Sequence, residues 1–377
     1  MRDERLYHRR GQIGNWDTPP ENQLGDVASL KDYWNDDDEL GSRLINILIK
    51  AHCYWIREAD IDGFRVDAVK HMGAIACSRF CSGVREYAYA LGKCGFFLFG
   101  ELATPSDDIY DRYLGPNTSA SDAQTVYFGI DSLLDFRLAE APLAAVIKGL
   151  ADPRVLFDRA EGQHKRALNR GELGRYLVTF ADNHDSFWHA DSGRIAYEAP
   201  DEQVIATIGY LLCALGTPCI YYGTERGFDG QGSDNDIREA MFEQGSPGVN
   251  LLNTSCRIYA EIAKIAATMR AQAPLRFGRM YFHQISADGV GFGYPYGTDY
   301  TLAFSRLLYG EEVLVAYNVS GSARTDRVVV DRSLHAAGDT MSFLYGAPGS
   351  VSVDETPDKT TSFVRLDLRP HQFVILS

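Results

Sequence analysis

Between Asp36 and Ala271 short apolar runs alternate with helical stretches, and this alternation narrows the fold more than any other feature. The runs Gly63–Val69, Phe96–Phe99, Ser132–Phe136, Tyr176–Phe180 and Thr217–Tyr222 read as strands. Asp36-Asp37-Asp38 opens the first helix, since carboxylates suit a helix N-terminus, and Leu44, Ile45, Leu48, Ile49 and Trp55 carry its apolar face. Further helices are expected around Ile75–Leu91, Ala141–Gly149, Glu202–Leu215 and Ser255–Ala271. Strand–helix alternation predicts an α/β fold, a parallel sheet with helices packed outside it. The polar residues cluster at the C-terminal ends of the strands, where a (β/α) barrel builds its active site. After Pro274 no helix intervenes between Met280–Ile285, Thr301–Arg306, Glu312–Asn318, Arg327–Val330, Ser362–Leu368 and Phe373–Leu376. These strands predict a small antiparallel β-sandwich domain. The expected organisation is therefore an irregular polar segment at 1–34, a catalytic barrel portion at 35–273 and the β domain at 274–377.

The formal net charge is −14, which argues against a nucleic-acid partner, because phosphate binding needs clustered Lys and Arg. The longest apolar stretch, Ile208 to Tyr222, contains Gly216 and Pro218 and is too short to span a bilayer, so no membrane partner is expected. Met1-Arg2-Asp3-Glu4-Arg5 carries no apolar run behind it, so no secretory signal is expected at this start. The seven cysteines are scattered without zinc-site spacing and read as buried free thiols in a reducing compartment. A cytoplasmic location is the expectation from these two features.

Three strand ends carry carboxylates. Arg65 and Asp67 stand two apart on the first strand, so both side chains share a face, and Arg65 can hold Asp67 ionised. Glu101 directly follows the aromatic strand Phe96–Phe99 and Gly100, a place where partial desolvation raises a carboxyl pKa and suits a general acid. Asn183-His184-Asp185 ends the fourth strand, where an imidazole and a carboxylate can hold adjacent sugar hydroxyls. Taken singly, each has a plainer reading. Arg-Val-Asp is also a strand-end salt bridge, Glu101 a cap for a helix near Thr104-Pro105-Ser106, and Asn-His-Asp ordinary loop polarity. Together, at three strand ends of one barrel pattern, they match a retaining glycosidase, which needs an ionised nucleophile and a protonated acid about 5–5.5 Å apart.

On these residues the chain resembles the α-amylase family of (β/α)8 glycoside hydrolases, glycoside hydrolase family 13. Gly63 to His71 looks like the family's fourth-strand motif, Gly100-Glu101-Leu102 the fifth, Phe180 to Asp185 the seventh, and Gly216 to Glu225 the eighth. The resemblance implies Asp67 as nucleophile, Glu101 as acid/base and Asp185 as transition-state stabiliser. It implies Arg65 as ionic partner of Asp67, Lys70 and His71 on the leaving-group side, and Asn183 and His184 against the sugar. The implied reaction is cleavage of α-1,4-glucosidic bonds in starch-like glucans or maltooligosaccharides by double displacement. An α-glucosidase, a transglycosylase or a sucrose-acting enzyme would use the same residues. An inactive binding or scaffold protein is a further alternative.

Strands one to three of such a barrel, with the third-strand Asp…Asn-His motif, have no counterpart before Asp67, and Glu21 to Leu30 resembles the end of the loop domain that separates strands three and four. The fold expectation is thus a (β/α)8-type barrel that is incomplete at its N-terminus, with strands four to eight recognisable. Its open sheet edges would be covered by Met1–Trp34 or completed by another chain, as in a homo-oligomer. No cofactor is required for the chemistry. A structural calcium is implied by the resemblance, with Asp26 and the backbone carbonyl of His71 as the remaining ligands of a set that calcium needs to reach six to eight oxygens.

Overall fold

A computed structural model describes residues 3–104, 110, 113, 114, 129–139, 142–165, 167, 168, 171–185, 193–242, 252 and 254–377. The chain divides into two compact units, Met1–Arg137 with Gln163–Val178 and Leu138–Gly162 with Thr179–Ser377.

In the first unit the strands β1 (Gly63–Val66), β2 (Phe97–Gly100) and β3 (Ser132–Leu134) lie parallel and side by side. The antiparallel hairpin of β4 (Ala167–Leu168) and β5 (Gly171–Glu172) precedes a tight turn at Leu173–Tyr176. Next comes β6 (Leu177–Thr179), whose Leu177 and Val178 pair parallel with Leu133 and Leu134. Helix Glu39–Ala59 starts where the Asp38 carboxylate accepts the Gly41 N–H at 2.7 Å, satisfying one of the donors a helix N-terminus leaves free. Its Ile45 and Ile56 meet Phe80 and Val84 of helix Ala74–Ala90 and the strand residues Leu98 and Leu133 in one buried core. Each such side chain contributes roughly 1.5–3 kcal/mol over its exposed state. That core is what holds the ends of β1 and β2 in place.

In the second unit Thr179 accepts the Cys219 N–H at 2.7 Å, beside the two-residue strand β7 (Thr217–Pro218). Helix Asp201–Cys213 is buried from Gln203 to its end. Its core partners include Val146 and Ile147 of helix Pro142–Ile147, and Ile258 and Ile262 of helix Arg257–Ala271. The short helix Ala273–Phe277 then leads into an antiparallel sheet. That sheet comprises β8 (Arg279–Phe282), β9 (Ile285–Ser286), β10 (Thr301–Leu308), β11 (Glu311–Asn318), β12 (Arg324–Val330), β13 (Thr340–Tyr345), β14 (Ser350–Glu355), β15 (Ser362–Leu368) and β16 (Phe373–Leu376). Its order is β8-β10-β11-β16-β13-β14-β15-β12-β9. One face supplies Tyr300, Phe304, Val315, Tyr317 and Phe373 to the helical core, and the other encloses a second core around Leu314, Val328, Met341, Val364 and Leu366. Phe373 reaches the helix backbone because Gly209 has no side chain, since a Cβ there would lie 2.8 Å from the ring. Buried Arg306 closes the helix C-terminus by donating to the Cys213 carbonyl at 2.7 Å and to that of Ala214.

The α/β class, the parallel strands and the following antiparallel β domain match the sequence expectation, with local corrections. The first strand stops at Val66 rather than Val69, because Ala68 adopts a left-handed conformation and Val69–His71 forms a single tight turn. The last parallel strand ends at Pro218 instead of Tyr222, because the chain turns at Tyr221–Thr224 with Gly223 at positive φ. Met280–Ile285 is two strands, interrupted at His283 and Gln284. The strands β13 and β14 and the helix Arg154–Lys165 were not anticipated. Ala141 of the helix expected at Ala141–Gly149 lies outside the described residues. Three cysteines, Cys77, Cys81 and Cys213, are buried free thiols as expected, whereas Cys94 and Cys219 are exposed. Among the described residues no helix is long and apolar enough to cross a membrane.

Candidate active site

The register of β1 against β2 sets the first half of the site. Val66 pairs with Gly100, so Asp67 and Glu101 are the next residues on adjacent strand ends. Two backbone bonds lock them there: Glu101 N–H to the Val66 carbonyl at 2.8 Å, and Val69 N–H to the Glu101 carbonyl at 3.0 Å. Gly100 is required beneath them, because a Cβ would lie 2.7 Å from Val69 and 2.9 Å from Leu133. Arg65 then spans both carboxyl groups. It donates to Asp67 Oδ1 at 2.6 Å and to Glu101 Oε2 at 2.7 Å, one guanidinium nitrogen to each. Glu101 also hydrogen-bonds Asp67 directly. Burial pushes the Glu101 carboxyl up, the hydrogen bond and negative charge of Asp67 add to this, and Arg65 only partly offsets them, so its pKa reaches about 7. Asp67 is more open to solvent, with 69% of its side chain exposed against 18% for Glu101. A glycosidic oxygen has to enter between the two groups.

Residues 16–22 pack against the turn after Asp67. Lys70 donates to the Ala103 carbonyl at 2.7 Å and to Asp17 at 2.9 Å. The Asn22 side chain donates to the Lys70 carbonyl at 3.2 Å. The His71 ring lies edge-on to Trp16 with its Nδ1 2.6 Å from the Asn22 carbonyl. Burial depresses the His71 pKa against the opposing pull of that carbonyl, so the imidazole is neutral and Nδ1–H donates. Asp26 is buried and already satisfied, by Lys31 Nζ at 2.5 Å and the Asp32 N–H at 3.1 Å. The Lys31 contact holds its carboxyl below the usual range. Among the described residues no group of three or more His, Cys, Asp or Glu side chains is placed to hold a metal. In this arrangement the Asp26 carboxylate is engaged by the Lys31 ammonium.

In the second unit the end of β6 carries Asp182, Asn183, His184 and Asp185. The Asn183 side chain accepts the Asp185 N–H at 2.6 Å, an Asx turn that fixes the carboxylate's backbone. His184 Nε2 lies 3.6 Å from Asp185 Oδ1. Arg238 grips both residues, donating to the His184 carbonyl at 2.8 Å and to Asp185 Oδ1 at 3.2 Å, and it also approaches Asp234 at 3.3 Å. Asp182 is buried and accepts from the Thr224 hydroxyl at 2.9 Å and, at 3.4 Å, from the Ile195 N–H.

Arg65, Asp67 and Glu101 are therefore brought together in one unit, with Lys70 and His71 on the following turn. Asn183, His184 and Asp185 are brought together in the other. Two basic residues were missed. Arg238 had little local signal, because residues 234–238 form turns rather than a helix and its partners His184 and Asp185 are more than fifty residues away in sequence. Arg194, which lies under the same loop, had none, because its partners are distant in sequence.

The alpha-amylase catalytic-domain family model matches residues 24–255, more than half of the chain. An α-amylase of Streptomyces lividans is 27% identical over 93% of this chain and 37% of its own length. A cyclomaltodextrin glucanotransferase of Thermoanaerobacterium thermosulfurigenes is also 27% identical, over 79% of this chain and 36% of its own. The chain spans little more than a third of the length of these curated relatives. Among solved structures, the acarbose complex of the Geobacillus thermoleovorans α-amylase superposes with a TM-score of 0.72 at 22% identity, covering 98% of this chain and 71% of that one.

Proposed function

The chain belongs to the α-amylase family, and from that premise we propose that it cleaves α-1,4-glucosidic bonds of starch-like glucans or maltooligosaccharides with retention of configuration. The observation that carries this reading is the Arg65 fork between Asp67 and Glu101, with the Glu101 pKa raised to about 7. One carboxyl group keeps its proton near neutrality while its neighbour has an arginine counter-charge and solvent access. These are the two states that double displacement needs.

In the first step Asp67 attacks the anomeric carbon as Glu101 gives its proton to the departing glycosidic oxygen. The C–O bond breaks and a glycosyl ester forms on Asp67. In the second step Glu101, now a carboxylate, takes a proton from water, whose oxygen displaces Asp67 and regenerates both groups. Asp185 is assigned to the oxocarbenium-like transition state, and Asn183, His184, Lys70 and His71 to sugar contacts. No step passes through a metal.

The test uses maltoheptaose. Asp67→Ala and Glu101→Gln should each lower kcat by roughly 10³-fold or more with circular dichroism unchanged. The first-formed sugar, followed by proton NMR, should be the α-anomer. Activity retained in both variants would remove the assignment, and a β-anomer would remove retention. The glucanotransferase relative favours a second reading, in which a sugar hydroxyl replaces water in the second step. Cyclic or lengthened products from starch, in place of new reducing ends, would establish it.

A further inference from the structure

Arg194 is a charged side chain with no solvent contact, and the chemistry assigned to Asp185 makes no direct use of it. Its guanidinium donates to the Glu239 carboxylate at 2.8 Å, the Thr224 hydroxyl at 3.2 Å, the Ile237 carbonyl at 3.5 Å and the Tyr222 carbonyl. Its Nε lies 3.7 Å from Asp182 Oδ2. The guanidinium carbon sits 4.4 Å from the Tyr221 ring centre and 5.3 Å from that of Phe228. Its backbone N–H bonds the Gly230 carbonyl at 2.9 Å, and Gly230 in turn donates to Glu239 at 2.8 Å. One cation therefore ties the end of β6 to both limbs of the loop 219–239. Among its anchors are Ile237 and Glu239, the residues on either side of Arg238. Arg238 is the residue that holds the His184 carbonyl and Asp185.

We propose that Arg194 is a positioning residue for Asp185: by clamping Ile237 and Glu239 it sets the backbone of Arg238 and so the reach of the Arg238 guanidinium to Asp185. The inference rests on the catalytic reading of Asp185. A buried cation with fork contacts to backbone carbonyls suits this task better than a lysine would. Lysine keeps the charge but reaches only one or two of these acceptors. The geometry matters because a misplacement on the order of 1 Å can cost about 10²-fold in rate.

The experiment is a double-mutant cycle on maltoheptaose hydrolysis with Arg194→Lys, Arg238→Ala and the pair, read as kcat and KM and accompanied by thermal unfolding. Arg238→Ala is expected to lower kcat by roughly 10–100-fold, and Arg194→Lys by about tenfold with a melting temperature close to the parent's. In the pair, kcat should equal that of Arg238→Ala alone within about twofold, because the clamp has no other route to the chemistry. If Arg194→Lys does not fold, Glu239→Gln takes its place in the cycle with the same expectation. Losses that multiply in the pair would overturn the proposal, as would an unchanged kcat in the single clamp variants. Asp185→Asn separates the two levels of argument. If it leaves kcat intact, the catalytic reading of Asp185 falls and this inference with it. If it abolishes activity while the cycle is multiplicative, only the inference falls.

Discussion

A carboxyl group serves as an acid near neutrality only where its surroundings favour the proton, and Glu101 has both ingredients. Burial penalises its charge, and Asp67 places a second carboxylate within hydrogen-bond reach. With a pKa of about 7 it is protonated below that pH and ionised above it. The descending limb of kcat/KM should therefore be centred near pH 7, falling about tenfold per pH unit beyond it. The cause can be checked separately. Asp67→Asn removes the like charge, so the Glu101 pKa should drop towards its ordinary value when followed by carbon-13 NMR of the carboxyl group. A pKa that stays put would leave burial as the whole cause. At this scale the sequence was informative. Period-two spacing puts Arg65 and Asp67 on one face, and the aromatic run before Glu101 announces desolvation. The second arm of Arg65, to Glu101, was not legible, because it depends on strand register rather than on spacing within a strand.

Elements were legible where one face is continuously apolar and obscured where contacts end a pattern early. Thr217–Tyr222 has the composition of a buried strand, yet only Thr217 and Pro218 hold strand conformation, since Tyr221 and Tyr222 are drawn into the turn over Arg194. In β13 and β14 the polar/apolar alternation lasts only four residues, over 340–343 and 350–353, too short a run to stand out from the turns around it. A buried carboxylate on β11 gives this scale its own prediction. The Glu312 side chain has no exposure and is faced by His283, His335, the Ser305 hydroxyl and the Asp331 N–H. Burial alone would raise its pKa, but these partners outweigh burial and hold it well below the usual carboxylate range. The His335 pKa is raised, first by its bond to Glu312. Glu312 therefore contributes stability above its unfolded pKa of about 4.5 and loses it as pH falls through the depressed folded value. His335 contributes fully below about 6.5 and loses its share as pH rises through the raised folded value. The melting temperature should peak between these limits and decline on the alkaline side. In His335→Gln that alkaline decline should be absent. An identical decline in the variant would assign it to other groups.

At the scale of the molecule, sequence periodicity changes at Pro274, but burial does not follow the change. One core joins Val204, Ile208 and Leu211 of helix Asp201–Cys213 to Tyr300, Phe304, Phe373 and Ile375 of the β region. Hydrogen bonds repeat the link: the Tyr300 hydroxyl donates to the Val146 carbonyl at 3.2 Å, and that of Tyr317 to the Ile147 carbonyl at 3.2 Å. Pattern reading registers where strands and helices alternate, whereas a core forms wherever apolar faces meet, so this continuity lies beyond what spacing can show. Its consequence is measurable. Each of those four β-region side chains is worth roughly 1.5–3 kcal/mol when buried, and together they are comparable with the whole stability of a typical domain, about 5–15 kcal/mol. Removing residues 274–377 should therefore leave helix Asp201–Cys213 uncovered. The remaining chain should bind a hydrophobic dye and lose cooperative unfolding, with hydrolysis lost in parallel because Arg238 and Asp185 lie on the loops that this core supports. A shortened chain that melts cooperatively and hydrolyses maltoheptaose would instead mean that the β region stabilises only itself.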